Sequence, residues 1–462
     1  MAPRKKNSSI KVPNVTTYPS GVNNNVTVDN FFDKEWRDYV VYTISNRAIP
    51  SVIDGLKPGQ RKAVYCARKI NKLIKVTGLT GSTMTDGNYH HGDASMNDAI
   101  VGLAAPFNNN VPLLHGDGVF GSRLIRDAGA PRYISVKLAD SFYTYFNDFH
   151  IMPPSDDPED PEPKFYLPVI PWVLVNGVTG IATAYATDIP RYHPQDIAKL
   201  CKQYVTGKSI DKYELLPFYE GFSGSFAYAS PGKLVCNGKV NKIDATTIEI
   251  LEIPLMYDHP TYIKLLQRLK ETDVIVKYID ESKDGKFKFT VTLKRSGPSI
   301  GRGAVLTDDQ IIKTFRLSSN IKQNINVLDE NNRLMNFESP IGVIKYFCDF
   351  RLKTVGDRIT ANLAKTQSEI ERITERLKFI KLVVDGKIVF KQKSKSEIID
   401  QMIKNKLNNK YFDYLLDIKI YNLTTDSINA ANDKLIELKT EEVYWTNTTA
   451  VAEFTKDLDK LI

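Results

Sequence analysis

Residues 47–62 read RAIPSVIDGLKPGQRK, and this stretch places two prolines between two segments with helical patterns. Proline lacks a backbone donor, so it ends a helix but is tolerated in the first turn of the next one. Pro50 is therefore expected to end a helix over Trp36–Arg47, and Pro58 to precede a helix over Gly59–Ile70. Short helices joined by tight turns are typical of a helix-turn-helix-type domain.

The helical pattern continues beyond these two segments. Asp93 is expected to cap a third helix that runs through Leu103, whereas the glycines of Gly78–Gly92 predict a break before it. We predict that this helical domain covers residues 27–152. Residues 1–26 are polar and basic with little to bury, so they are expected to form a disordered tail.

Composition excludes several classes of protein. A chain of 462 residues is expected to form about two to four domains. Its net charge of +8 is consistent with a polyanionic partner. The four cysteines are scattered, which argues against a zinc ribbon and a disulfide scaffold. No stretch has the pattern of a signal peptide or a membrane span, so we expect a cytoplasmic protein without a membrane partner.

After Ile151 the sequence changes from a mainly helical pattern to a stretch rich in proline and acids, which is followed by strand-like alternation. Residues 153–163 contain five acids and five prolines and are expected to be a solvated linker. Alternating apolar residues at Thr247–Ile250 and Lys286–Val291 predict β-strands. We therefore predict a mixed α/β domain over residues 153–340.

The last third of the chain has a coiled-coil rhythm, in which apolar residues recur in steps of three and four. A second periodic stretch follows the candidate caps Thr425 and Asp426. We predict that residues 341–462 form a long antiparallel coiled-coil arm with a small globular tip, which makes the fold class α+β and multidomain. The predicted seam contains Ile359, Leu363, Ile370, Ile373, Leu377, Ile380 and Val384.

The run from Gly55 to Thr85 contains seven basic residues and no acid. A surface of one sign can neutralise phosphates and release counterions, which favours DNA binding over the alternative of an ordinary solvated face. The predicted DNA-binding cations are Lys57, Arg61, Lys62, Arg68, Lys69, Lys72 and Lys75.

Two short patterns fail as ligand sites. Gly207-Lys208-Ser209 lacks the first glycine of a P-loop, because position 202 is lysine. Asp457 and Asp459 have the spacing of a metal-binding pair, but they lie in a helical pattern and are expected to form a solvated helix face. We therefore predict no metal site in this chain.

Several further motifs follow one another in a fixed order. They are Arg47-Ala48-Ile49-Pro50, Asp54–Lys62, Tyr89-His90-His91-Gly92-Asp93, Pro131-Arg132-Tyr133, Asn176-Gly177 with Gly180-Ile181-Ala182, Asp385–Ile388 and Phe412–Leu416. Together they resemble the breakage–reunion region of type IIA DNA topoisomerases over residues 30–462. The form of the histidine motif is closer to eukaryotic and large-phage enzymes than to bacterial ones.

The resemblance implies a winged-helix-type domain, a tower-type α/β domain and an arm whose tip dimerises. It identifies Tyr133 as the nucleophile that forms a 5′-phosphotyrosyl bond with DNA. A phenol is a poor nucleophile at neutral pH without a nearby base or cation, and Arg132, Arg47 and His91 are expected to supply them. Ile181 matches the family's isoleucine that wedges between base steps and bends the duplex.

The resemblance also implies what the chain needs from its partners. Mg²⁺ and ATP are expected on a partner with ATPase and Toprim domains, in a heterotetramer or larger complex with two copies of this chain. The expected activity is relaxation and decatenation of double-stranded DNA in the host cytoplasm or a phage-derived compartment. A non-catalytic DNA-bridging dimer is the alternative, and a tyrosine recombinase is disfavoured because the chain has no HxxR motif.

Overall fold

The computed structural model describes residues 31–230, 233–294, 296–297, 301–302, 306–419 and 425–462. The predicted tail at residues 1–26 lies outside these ranges. The chain divides into two compact units: one contains the residues up to Cys348 together with Leu458–Ile462, and the other contains Asp349–Asp457. None of the described helices is long and apolar enough to cross a membrane.

Helices dominate the described chain up to residue 152. Three short strands join them as an antiparallel sheet in the order β1-β3-β2. The strands are β1 (Ile74–Lys75), β2 (Leu114–Asp117) and β3 (Ser135–Leu138). The helical segments are Phe31–Trp36, α1 (Arg37–Thr43), Ile44–Ala48, α2 (Pro58–Ile70), α3 (Val76–Thr85), α4 (Asp93–Ala104), Pro106–Asn108 and α5 (Phe142–Tyr145).

The predicted helix over Gly59–Ile70 is confirmed, but the predicted break over Gly78–Gly92 is wrong in its first half. Helix α3 occupies that half and buries Val76, Leu79, Thr80 and Thr83 on one face. Packing of this face offsets the low helix propensity of glycine. The predicted cap is also displaced by one residue, because Gly92 takes the N-cap position and Asp93 lies in the first turn of α4.

The next part of the first unit is rich in antiparallel strands. Its helices are α6 (Trp172–Val175), α7 (Pro194–Val205), α8 (His259–Glu271) and α9 (Asp308–Thr314). Its strands are β4 (Val178–Ile181), β5 (Ala186–Ile189), β6 (Ser225–Ser230), β7 (Lys233–Asn237), β8 (Lys239–Lys242), β9 (Thr247–Glu252), β10 (Ile275–Asp280), β11 (Phe289–Leu293), β12 (Ser296–Gly297), β13 (Gly301–Arg302), β14 (Ser318–Ile321), β15 (Ile325–Leu328) and β16 (Leu334–Phe337).

A four-stranded sheet in the order β10-β11-β9-β8 provides the main core of this part. Ile248 and Ile250 of β9 and Phe289 of β11 are fully buried against the face of α8 that carries Tyr262. The alternation at Thr247–Ile250 is therefore confirmed as a strand. The second predicted strand begins at Phe289 rather than at Lys286, because Lys283 and Lys286 close the preceding turn.

The second unit contains the greater part of the longest helix. This helix, α10 (Pro340–Val384), is followed by α11 (Lys395–Lys404), the turn Asn409–Tyr411, α12 (Phe412–Leu416), α13 (Thr425–Asn447) and α14 (Ala450–Asp459). A small apolar core holds the segment after α10 together and consists of Phe379, Ile388, Ile398, Met402, Leu407, Tyr411 and Leu415. The dimer contact that the resemblance implies for the arm's tip is expected around Phe412–Leu423, and residues 420–423 of it lie outside the described residues.

Two expectations about the arm are wrong. Val384 is predicted to lie in the apolar seam, but it is exposed where α10 ends. Asp457 is predicted to lie on a solvated face, but it is buried and its carboxylate accepts a 2.6 Å hydrogen bond from Arg358. A buried arginine needs such a partner, and sequence periodicity cannot identify one that lies about a hundred residues away along the chain.

The carboxylate of Asp54 organises the turn that precedes α2. It is fully buried and accepts hydrogen bonds from Arg61 Nε at 2.7 Å and Arg61 Nη2 at 3.0 Å. It also accepts the backbone amides of Leu56 and Tyr166, each at 3.0 Å. Gly55 must remain glycine here, because its φ is +65° and a Cβ would lie 2.5 Å from the amide nitrogen of Val173.

The prediction that Arg61 and Lys62 contact DNA is wrong, because the structure buries both. Arg61 is paired with Asp54, whereas Lys62 donates to Asp160 at 2.6 Å and lies 2.8 Å from Glu162. The linker expected at residues 153–163 is therefore not fully solvated, since its second half is attached to α2. These two cations neutralise buried carboxylates, which removes them from the predicted DNA-binding face.

We predict that Asp54→Asn lowers the free energy of unfolding by about 3 kcal/mol or more, because it leaves Arg61 buried without its carboxylate. Urea denaturation followed by circular dichroism measures the change. Asp98→Asn is the matched control, because Asp98 is exposed. Equal stability of the Asp54 variant and the wild type would contradict the role given to this carboxylate.

Candidate functional site

Tyr133 lies in a turn immediately before β3, and its position follows from the pairing of β1 with β3. Lys75 pairs with Ser135 across the two strands, and the amide of Tyr133 donates to the carbonyl of Ala130 at 2.8 Å. The amide of Val76, the first residue of α3, donates to the carbonyl of Ile134 at 3.1 Å. The backbone is thereby fixed on both sides of the turn, while 72% of Tyr133 is exposed to solvent.

Two cations accompany this exposed phenol. The guanidinium carbon of Arg132 lies 5.6 Å from the centre of the Tyr133 ring, and Lys75 Nζ donates to the Tyr133 carbonyl at 2.8 Å. Positive charge at this distance can stabilise a phenolate or a phosphate that approaches it. The sequence predicts Lys75 only as a general DNA contact, because its position beside Tyr133 depends on a strand register that local patterns do not reveal.

His91 belongs to a second cluster, formed with two other aromatic residues. Its Nε2 lies 3.3 Å from the hydroxyl of Tyr42, and its ring centre lies 5.3 Å from that of Tyr89 in an edge-on arrangement. Burial and the charge of Arg47 both lower the pKa of His91, whereas burial raises the pKa of Tyr89. At neutral pH the cluster therefore presents a neutral imidazole beside the exposed Arg47.

Sequence reasoning found His91 and Arg47 but missed Tyr42 and Tyr89. Tyr89 stands inside the histidine motif, so its place near His91 could have been suspected, whereas Tyr42 lies 49 residues away from His91. Within the described part of the chain, no hydrogen bond, ion pair or ring contact joins this cluster to Tyr133. The structure therefore brings Arg47 to His91 and Arg132 to Tyr133, but it forms no direct contact between the two pairs.

Ile181 stands at the end of β4, at the tip of the hairpin that β4 forms with β5. This aliphatic side chain is 84% exposed, which is unusual because burying it would be favourable. The hairpin is held by Lys57, whose Nζ donates to the carbonyl of Thr179 at 2.8 Å. A Cβ on Gly180 would lie 2.1 Å from the carbonyl oxygen of Ala48, so the hairpin packs directly on the residue that follows Arg47.

The other predicted DNA-binding cations lie toward the end of α2 and in β1. Lys69, Lys72 and Lys75 are exposed, and Arg68 is half-buried with its guanidinium carbon 3.9 Å from the ring centre of Phe149. Lys57 differs from them, because burial lowers its pKa and its ammonium group is bonded to the hairpin. The exposed basic surface consequently adjoins the turn of Tyr133 rather than covering the whole of α2.

Across the described ranges, no group of three or more His, Cys, Asp or Glu side chains is arranged to hold a metal ion. The side chains that contact Tyr133 or its carbonyl are the cations Arg132 and Lys75, whereas a magnesium ion is bound mainly through oxygen ligands. The chemistry available to this surface is nucleophilic attack by a phenol with nearby positive charge, together with contacts to an anionic partner.

Comparison with known proteins identifies relatives over almost the whole chain. The chain is 33% identical to the DNA topoisomerase medium subunit of Enterobacteria phage T4, over 95% of this chain and 99% of that protein. It is 30% identical to the mitochondrial DNA topoisomerase 2 of Dictyostelium discoideum over 94% of this chain, but it spans only 35% of that protein.

A solved structure is similar as well. The crystal structure of the DNA-binding, cleavage and re-ligation domain of Plasmodium falciparum topoisomerase II matches with a TM-score of 0.82 and 29% identity, over 94% of this chain and 63% of that one. The family model for the A subunits of DNA gyrase and topoisomerase IV matches residues 47–459, which include both clusters except Tyr42. The chain therefore belongs to the family of DNA gyrase and topoisomerase IV A subunits.

Proposed function

We propose that this chain is the DNA cleavage–religation subunit of an ATP-dependent type IIA topoisomerase that relaxes and decatenates DNA. Family membership and the near-complete coverage of the phage medium subunit support this function. The observation that carries it is the exposed phenol of Tyr133, fixed in a turn between Arg132 and Lys75.

In the proposed reaction, the Tyr133 oxygen attacks a backbone phosphorus and the DNA 3′-oxygen leaves. The phenol proton is lost to a base, the 3′-oxygen takes up a proton, and the 5′-phosphate stays bonded to tyrosine. Arg132 and Lys75 stabilise the negative charge that develops on the attacking and phosphoryl oxygens. Because the phosphotyrosine keeps the energy of the broken bond, the reverse attack by the 3′-hydroxyl reseals the strand without ATP.

Arg47 and His91 are proposed to bind a phosphate of the same duplex. Arginine can donate two parallel hydrogen bonds to a phosphate, which suits the exposed guanidinium of Arg47. The lowered pKa of His91 keeps its ring neutral, so the ring can donate from one nitrogen and accept at the other. Ile181 is proposed as the wedge that bends this duplex, since its exposed side chain projects from a braced hairpin.

The proposed enzyme needs further chains. Two copies of this subunit, dimerising through the arm tip and the tyrosine domain, are proposed to join a partner with ATPase and Toprim domains in a heterotetramer or larger complex. Mg²⁺ and ATP are proposed to bind that partner, and the complex to act in the host cytoplasm or a phage-derived compartment. The name of the T4 relative, a medium subunit, supports the division among chains.

The domains are proposed to follow the family pattern. Residues 27–152 are assigned to a winged-helix-type domain, residues 153–340 to a tower-type domain and residues 341–462 to the coiled-coil arm. The short sheet beside α2–α4, the four-stranded sheet and the length of α10 support these assignments.

We predict that Tyr133→Phe abolishes covalent protein–DNA adducts in the reconstituted complex and leaves the Kd for duplex DNA almost unchanged, because only the nucleophilic oxygen is lost. Adducts are counted by gel electrophoresis after a detergent quench. Tyr143→Phe is the control, since Tyr143 is also an exposed tyrosine but lies outside both clusters. Wild-type adduct levels in the Tyr133 variant would favour a DNA-bridging protein or another nucleophile.

Replacing Lys69 and Lys72 with glutamine should flatten the salt dependence of DNA binding. Each lost phosphate contact reduces the slope of log K against log salt by about 0.9, so the double variant should lose about 1.8. Fluorescence anisotropy over a salt series measures the slope. The control is Lys439→Gln, on an exposed position of α13, and an unchanged slope in the double variant would exclude these lysines from the interface.

Ile181→Ala is expected to reduce DNA bending while the salt slope stays the same, because it removes the wedge but no charge. Gly180→Ala should have a similar effect through displacement of the hairpin from Ala48. Energy transfer between dyes at the two ends of a duplex reports the bend. Full bending by both variants would refute the wedge.

A further inference from the structure

The loop that leads to Tyr133 is anchored on a different part of the first unit. It runs from the end of β2 at Asp117 to the tyrosine turn, and the amide of Gly129 closes it by donating to the carbonyl of Val119 at 2.8 Å. Its apex reaches the start of α8, where the amide of His259, the first residue of that helix, donates to the carbonyl of Leu124 at 3.1 Å.

Arg123 provides the strongest of these anchoring contacts. Its Nη2 donates to Glu252 Oε1 at 2.7 Å and to the carbonyl of Ile253 at 3.1 Å. Only 11% of the arginine side chain and 5% of the glutamate side chain are exposed. The guanidinium carbon lies 5.4 Å from the ring centres of both Phe222 and Phe287, which is within the range of a cation–π contact with each ring.

The partner of Arg123 is itself fixed. Glu252 Oε2 accepts the amide of Ser223 at 3.0 Å, and Oε1 accepts the amide of Ile253 at 3.0 Å. A second arginine of the loop, Arg126, donates from Nη2 to the carbonyls of Leu255 at 2.8 Å and Tyr257 at 3.2 Å. Two arginines therefore hold the loop on the last residue of β9 and the residues that follow it.

We propose that Arg123 is a positioning residue for Tyr133, which it holds by fixing the loop of residues 118–130 to Glu252 at the end of β9. This proposal rests on the proposed cleavage function, because it concerns the aim of the nucleophile. Tyr133 is 72% exposed, so packing of its own side chain contributes little to its placement. The position of Tyr133 therefore depends on the backbone on either side of it. The loop of residues 118–130 forms part of that backbone, since it ends three residues before Tyr133.

A loosened loop should reduce the fraction of time in which Tyr133 is aligned with a phosphorus. An error of about 1 Å in the alignment of reacting groups can cost roughly 100-fold in rate. DNA affinity should change little, because only 11% of the Arg123 side chain is exposed and its guanidinium is bonded to Glu252 and Ile253. The anchor therefore acts on the rate of cleavage at saturating DNA and not on binding.

The test compares Arg123→Gln, Arg123→Lys and Glu252→Gln with Arg268→Gln, an exposed arginine on α8. Arg123→Gln is expected to slow adduct formation at saturating DNA by roughly 10- to 100-fold, with Kd within about twofold of the wild type. Lysine should restore part of the rate, because both hydrogen bonds of Arg123 leave from one nitrogen. Glu252→Gln keeps the shape of the side chain and covers the case in which Arg123→Gln fails to fold.

Hydrogen–deuterium exchange of residues 118–130 separates this proposal from the function on which it rests. Faster exchange confined to that loop in the chain alone, together with slower adduct formation in the complex, is the expected pair of results. A wild-type adduct rate in both Arg123→Gln and Glu252→Gln overturns the proposal, as does an equal loss of rate in Arg268→Gln. If the wild-type complex forms no adduct, the proposed function fails, and unchanged exchange would then reject the anchor independently.

Discussion

The buried ion pair of Asp54 with Arg61 is the interaction on which the rest of the site depends. A carboxylate without solvent is tolerated only when its oxygens are fully hydrogen-bonded, and Asp54 meets this requirement with a guanidinium and two backbone amides. By accepting the amide of Leu56, the Asp54 carboxylate shapes the turn before α2. By accepting the amide of Tyr166, it also connects that turn to the chain that follows residues 153–163. A helix placed in this way exposes Lys69 in its last turn, and the exposed Lys72 and Lys75 follow it along the chain.

The reactive surface follows from that placement by short steps. Helix α2 leads into β1, whose pairing with β3 fixes the turn of Tyr133. On the other side, Lys57 at the start of α2 holds the hairpin that carries Ile181, and that hairpin lies against Ala48. Hydrogen-bonded backbone on both sides thus supports two exposed side chains, the phenol of Tyr133 and the proposed wedge, Ile181. The proposed DNA partner would cover both of these exposed side chains.

Local patterns in the sequence predicted much of this arrangement. Proline positions and apolar periodicity located α2 and the long helix, and the resemblance to a known family pointed to Tyr133, Arg132, Arg47 and His91. The prediction that Arg61 and Lys62 contact DNA was wrong, because a run of cations in the sequence does not show which of them forms an ion pair with an acid elsewhere in the chain. The same limit hid the pairing of Arg358 with Asp457, which depends on contacts between residues far apart in the chain.

The assignment of Tyr133 as the nucleophile can be tested by identifying the residue that becomes bonded to DNA. The reconstituted complex would be quenched during cleavage, digested with nuclease and trypsin, and analysed by mass spectrometry. Trypsin cuts after Arg132 and Lys137, so we expect a peptide of residues 133–137 that carries a nucleotide through a 5′-phosphate on Tyr133. A nucleotide on another residue, or a linkage through a 3′-phosphate, would contradict the assignment of Tyr133 as the nucleophile.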